Sequence, residues 1–338
     1  MKKSALIFII LFGVLLTSCS VEPLEDHLYR FCDENGYGFI NQKGEIAIDT
    51  QFSDAFYFRE GYAAVKVGDK WGFIDTKGDI VIDPQFETNR MSQYSLFSEG
   101  LAGVEIDDKI GYINTKGDFV IEPTLDYDKF GFMNHFSEGL VLIYVDGKYG
   151  FMNSMGEVVI EPQFEYASDF SEGLAAIERD GKFGYIDQTG EIVISPQFQF
   201  ASRFQEGLAS YEENDKYGYI NTKGEVVIKA QFDNNESFSE GLAAVLLNHK
   251  WGFINSQGQI VIKPKYDNAG SFQEGLAYIE KNKKFGYINK NGRVIIRPKY
   301  DGSYGFVNGL AEIYDKDHNQ GYINKDGDVI WKPTQCKK

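Results

Sequence analysis

The chain has 338 residues, 43% of them hydrophobic and 15% aromatic, with 21 Tyr and 27 Phe. A chain this rich in aromatics is not disordered, and its short alternating stretches carry no sustained 3.6-residue period that would make it helical. The net charge of −16, with no basic stripe, excludes a nucleic-acid partner; solubility is its simplest meaning.

The first segment is for targeting. Lys2 and Lys3 precede an apolar stretch from Ala5 to Leu16, too short for a bilayer span of about 20 residues. Residues 1–18 therefore read as a signal peptide. Leu16-Thr17-Ser18-Cys19 resembles the lipobox of bacterial lipoproteins. That resemblance implies that Cys19 becomes the acylated (palmitate-type) first residue of the mature chain, followed by a short acidic tether to residue 26. Each buried methylene of such an anchor contributes about 0.8 kcal/mol. It implies a membrane-anchored protein of the bacterial cell envelope. Ser20, where an Asp would signal inner-membrane retention, points to the outer membrane or cell surface.

From residue 27 to residue 335 the chain repeats itself nine times. The strings Lys70-Trp71-Gly72-Phe73-Ile74-Asp75 and Lys250-Trp251-Gly252-Phe253-Ile254-Asn255 are near copies. The central glycine recurs as Gly38, Gly72, Gly111, Gly150, Gly184, Gly218, Gly252, Gly286 and Gly321, mostly 34 residues apart. A second glycine stands about eleven residues earlier, in Ser-Glu-Gly-Leu or Gln-Glu-Gly-Leu with Gly61 and Gly309 as variants, and a third six residues later, as in Gly44 and Gly78. The pattern aromatic-Gly-aromatic-Ile-(Asp/Asn)-x-x-Gly, then Val/Ile and Pro, resembles the bacterial WG-repeat family over about residues 25 to 335. The resemblance implies an all-β, non-enzymatic repeat module. Strict Trp-Gly occurs only at Trp71 and Trp251, while Ile110 and Gln320 stand in that column elsewhere, which argues against a Trp-specific site.

One unit, Gly173 to Phe204, shows the local logic. Leu174-Ala175-Ala176-Ile177 is a first strand, Asp180-Gly181 a tight hairpin turn, and Phe183 to Asp187 a second strand. Asp187 to Gly190 is a turn of the Asx type. Ile192-Val193-Ile194 is a third strand, which Pro196 is expected to end because it lacks a ladder donor. In the second strand Phe183 and Tyr185 face one way and Gly184 and Ile186 the other, so both faces expect apolar cover. Gly184 expects close approach of something large, such as the aromatic at Phe170 or Phe204, or a bulge. A unit of about 34 residues is too small to fold alone, so neighbours must stabilise one another.

Nine three-stranded antiparallel meanders can stack as an open curved array or close as a β-propeller. Propeller blades commonly have four strands and close by sharing a blade between the chain ends. Here all nine units are whole, so the expectation is the open array. Cys32 and Cys336 are either free thiols or a disulfide; a bond between them would favour the ring.

For function, His27, His135, His249 and His318 fall at different repeat phases, and no nucleophile motif, metal pair or phosphate loop appears. The expectation is no enzyme, no metal and no cofactor. The Glu column (Glu60, Glu99, Glu138, Glu172, Glu206, Glu240, Glu274) reads as a solvated or turn-capping face before it reads as an acidic edge. The aromatic column Tyr37, Trp71, Tyr149, Phe183, Tyr217, Trp251 and Phe285 reads first as core, and otherwise as a ladder of platforms for a glycan or peptide. Five extra residues lengthen the connectors within 87–98 and 126–137. They bring Met91 and Tyr94, then Phe130, Phe132 and Met133 beside His135. Such insertions map to loops on one face of a repeat array, and their apolar content makes them the candidate surface for an envelope protein partner. The leading expectation is thus protein–protein binding by a lipid-anchored repeat protein; the alternative is cell-wall or glycan binding.

Overall fold

The computed structural model describes residues 27–86, 96–126 and 134–336. Every sheet in it is antiparallel, and there are nine, one per repeat. We number them as blades 1 to 9: residues 29–52, 54–86, 101–126, 140–164, 166–198, 200–232, 234–266, 268–300 and 302–334. Blades 2 and 5 to 9 have four strands, because the connector contributes a short extra strand such as Tyr166–Ala167. Among the described residues, blades 1, 3 and 4 have three.

Blade 5 shows how the sequence builds this. Leu174–Arg179 pairs with Lys182–Asp187 in perfect register, turned by Asp180 and Gly181 at φ 54° and 70°. Both central residues at positive φ match the right-handed twist of the flanking strands. The Asp187 Oδ1 then accepts from the backbone N–H of Thr189 and Glu191 at 2.9 and 3.1 Å, closing the Asx turn. Pro196 does not end the third strand, contrary to expectation. That strand runs Ile192–Phe198 and bulges: Tyr185 pairs with Ile194 but Phe183 with Phe198. The strand is the outermost of its sheet, where the missing donor is tolerated. The bulge also explains Gly184. A Cβ there would lie 2.5 Å from the Ile194 carbonyl oxygen and 2.6 Å from the Pro196 nitrogen. What approaches the glycine is neighbouring backbone, not an aromatic ring.

The core is divided among the junctions between blades. Tyr185 packs toward blade 6 with Ile194, Phe204 and Ala209; its strand neighbour Ile186 packs toward blade 4 with Phe151, Ile160 and Phe170. Both faces are covered, as the alternation required. Nine blades in an open array would have eight junctions. Here there are nine apolar clusters, and the ninth joins Leu310 and Tyr322 of blade 9 to Tyr29, Phe31 and Ile40 of blade 1.

The chain is therefore a closed nine-bladed β-propeller, which corrects the expectation of an open array. Two further repeats of one contact say the same. The third glycine of each unit packs on an isoleucine of the preceding blade, from Gly78 on Ile48 through Gly327 on Ile296, and Gly44 of blade 1 packs on Ile330 of blade 9. Cys32 and Cys336 form a disulfide with Cα atoms 5.0 Å apart. Closure needs no shared blade: two whole blades meet face to face, stapled covalently. The Thr334 hydroxyl donates to the Cys32 carbonyl at 2.8 Å beside the staple.

The Glu column has a structural task in this ring. Each Glu sits at φ near +54° and its carboxylate accepts from the backbone N–H of the next unit's glycine. Glu60 reaches Gly100, Glu99 reaches Gly139, Glu138 reaches Gly173, and the series continues to Glu274 on Gly309. The neighbouring serine adds a second stitch, as where Ser171 Oγ donates to the Phe204 carbonyl at 2.8 Å. At the seam the column holds Asn308 in place of Glu, and its carbonyl accepts from the Gln42 side-chain amide at 2.5 Å, as the Glu138 carbonyl does from Gln188. So the column caps turns, but across blade boundaries.

Candidate functional site

In a fold built by repetition, a site shows where the repetition breaks. The connector preceding each Phe of the Phe-Ser-Glu-Gly segment is where the blades differ most. Tyr166 of blade 5 and Phe200 of blade 6 occupy a position that holds Asn234, Asn268 and Gly302 in blades 7 to 9. Both rings are exposed, at 39% and 38%, although each belongs to a short inner strand.

These rings stand in a continuous series. Tyr144 contacts Tyr149 (centroids 4.7 Å apart), Tyr149 contacts Tyr166 (6.0 Å), and Tyr166 contacts Phe183 (5.6 Å). Phe183 contacts Phe200 (5.7 Å), and Phe200 contacts Tyr217 (6.3 Å). Successive planes are tilted by 51° to 75°. The half-buried rings of the second-strand column thus prop up one exposed platform per blade. This divides the aromatic column expected from the sequence. Trp71 and Trp251 are core, whereas Tyr149, Phe183 and Tyr217 are half-buried and belong to the ribbon.

Tyr144, Tyr149, Tyr166 and Phe200 of this ribbon line a groove of about 740 Å³ that touches the connectors of blades 4 to 7. The other wall is polar: Asn134, Ser168, Asp169, Ser202, Arg203 and Gln205. Arg203 and Asp169 pair at 3.0 Å, so the wall offers charge without net charge. Burial and Tyr144 push the Tyr149 hydroxyl above its ordinary range, and burial outweighs the lowering effect of Arg203 at Tyr166. Both hydroxyls remain neutral donors at physiological pH.

Of the partner-binding residues expected from the sequence, Met91, Tyr94, Phe130, Phe132 and Met133 lie outside the described residues, as does Cys19. His135 is half-buried, beside the groove residue Asn134. It occupies the same connector position as Asp169 and Arg203 in the next two blades. Burial pulls its imidazole below the ordinary histidine value; Asp169 opposes that, while Arg59 and Arg203 reinforce it. Among the described residues no group of three or more His, Cys, Asp or Glu is placed to hold a metal ion. The arrangement can stack on flat apolar surfaces and exchange hydrogen bonds with a polar ligand. The platforms Tyr166 and Phe200 are not legible in the sequence because they stand in the connector, at a position whose residue changes from blade to blade.

Comparison with known proteins gives a family model described as a WG containing repeat. It matches eight times, at residues 37–71, 71–109, 110–149, 149–183, 183–217, 217–251, 251–285 and 285–315. Each match starts in the middle of one blade and ends in the next, so nine blades yield eight. No curated protein matches the sequence. Among solved structures, a eukaryotic initiation factor is similar with a TM-score of 0.63 at 11% identity, covering 90% of this chain and 95% of that one. The structure of BamB from Moraxella catarrhalis gives 0.47 at 15% identity, covering 80% and 91%. The likeness to the first supports the closed propeller and speaks to fold alone.

Proposed function

The chain belongs to the WG-containing repeat family, and we propose that it is a non-enzymatic binding propeller that holds a glycan chain along the aromatic ribbon of blades 4 to 6. The observation that carries this is the run of six rings in mutual contact, Tyr144 to Tyr217, four of which (Tyr144, Tyr149, Tyr166 and Phe200) line a polar groove. A sugar ring presents an apolar C–H face and a hydroxyl edge. Aromatic platforms suit the face, and side chains such as Asn134, Asp169 and Arg203 suit the edge. We place the protein on the bacterial cell envelope, anchored through Cys19, on the strength of the lipobox-like segment. The glycan available there is a cell-wall or surface polysaccharide.

The test is binding of the full chain to peptidoglycan sacculi and to neutral polysaccharides, by sedimentation and calorimetry, with Tyr166→Ala/Phe200→Ala as the variant. Stacking contributes roughly 0.5–1.5 kcal/mol per ring, so affinity is expected to fall about tenfold or more. Because both rings are exposed, the melting temperature should hold. Unchanged binding by the folded double variant refutes the glycan reading. Capture of an envelope protein that is lost on shortening the connectors within 87–98 and 126–137 would replace it with the protein-contact reading.

A further inference from the structure

We infer a second binding site, at the seam of the ring: an aromatic cage for an organic primary ammonium. Among the described residues, the first strand of blade 1 opens its sheet with no shorter strand before it. A cavity of about 520 Å³ lies there, walled by Tyr29, Tyr57, Tyr304, Tyr314 and Tyr322 with Glu312. Tyr304 and Tyr314 stand at 82° to each other with centroids 6.0 Å apart, forming one corner. Tyr29 and Tyr322, at 59° and 5.5 Å, form another. Such ring faces attract a cation.

Glu312 is the departure from the repeat that gives the cage its sign. Its column holds Ala64, Ala176, Ser210 and Ala244 in other blades. The residue is only 9% exposed. One carboxylate oxygen accepts from the Tyr57 hydroxyl at 2.8 Å, reaching from blade 2 across blade 1, and the other from the Tyr314 hydroxyl. A carboxylate offers about four acceptor positions, so two remain for ammonium N–H donors. Arg30 is the nearby countercharge, yet it does not wall the cavity. Its guanidinium lies 4.6 Å from the centroid of Tyr57 and 5.3 Å from that of Tyr37, and it donates to the Ala55 carbonyl at 2.6 Å. It is a charge partner of the buried acid, held on Tyr57 outside the cavity lining.

The probe pair is phenethylammonium and its uncharged counterpart 2-phenylethanol, titrated calorimetrically into the full chain. The ammonium is expected to bind about tenfold more tightly than the alcohol. Glu312→Gln should erase that preference. Tyr304→Ala, at an exposed position that keeps the fold, should weaken the ammonium severalfold. The Tyr166→Ala/Phe200→Ala variant should bind both probes as the parent does, which separates this site from the glycan groove. Equal affinity for the two probes, or no binding of either, overturns the proposal.

Discussion

Gly184 and Gly207 look alike in the sequence, yet the structure gives them different reasons. Gly184 faces the bulged backbone of its neighbour strand, with 2.5 Å available for a Cβ. Gly207 has open space around its Cβ position but a φ of +75°. Gly184→Ala should therefore cost about 2–3 kcal/mol through overpacking against backbone that cannot yield. Gly207→Ala should cost about 1–2 kcal/mol, the price of a left-handed L-residue. Equilibrium denaturation of both variants checks the order; equal losses would show that the bulge relaxes. The periodic glycines were legible at once, since they recur at fixed phase. Which atom approaches each was not, because a bulge of two residues in an outer strand leaves no trace beyond a proline within an otherwise regular run.

The carboxylate clasp is the element-scale device that turns neighbouring blades into one body. Glu240 accepts from the Gly275 N–H and pairs with Lys290 at 3.0 Å. Burial alone would raise its carboxyl, but Lys290 and the Gly275 amide outweigh that and hold it below the usual glutamate range. A folded value below the unfolded one means that the unfolded chain binds more protons, so this contribution is present above the unfolded pKa and fades as pH falls through the folded one. Glu240→Gln should therefore lower stability at pH 7 and converge on the parent only once the pH is below the folded value, under the ordinary glutamate range. Parallel melts across that range measure it, and a constant difference would mean that charge plays no part in the clasp. In the sequence the Ser-Glu-Gly column announced a turn, and its hydrogen-bond partners lie about 35 residues away in the next unit. A reading confined to one repeat finds the cap but not what it caps.

The whole molecule is a ring whose weakest junction is the one the chain cannot make by repetition. Among the described residues the seam buries five apolar side chains in its cluster, against seven to eleven at the other eight junctions. It also has Asn308 where the other junctions have the clasping glutamate, keeping only the Gln42 bond to the backbone carbonyl. Nine whole repeats suggested an open array because the sequence shows no split blade. The two cysteines, one in the first blade and one just beyond the last, were the opposing signal. The Cys32–Cys336 bond closes a loop of 304 residues, and a native disulfide of long span contributes about 2–5 kcal/mol. Cys336→Ser should lower the melting temperature by several degrees and make hydrogen exchange in blades 1 and 9 faster than in blades 5 and 6. The ammonium preference expected at the seam should weaken in the same variant, since its walls come from blades 9, 1 and 2. Glycan binding on blades 4 to 6 should persist. If instead exchange rises evenly round the ring, the junctions act as a single cooperative unit and the seam is not its weak point.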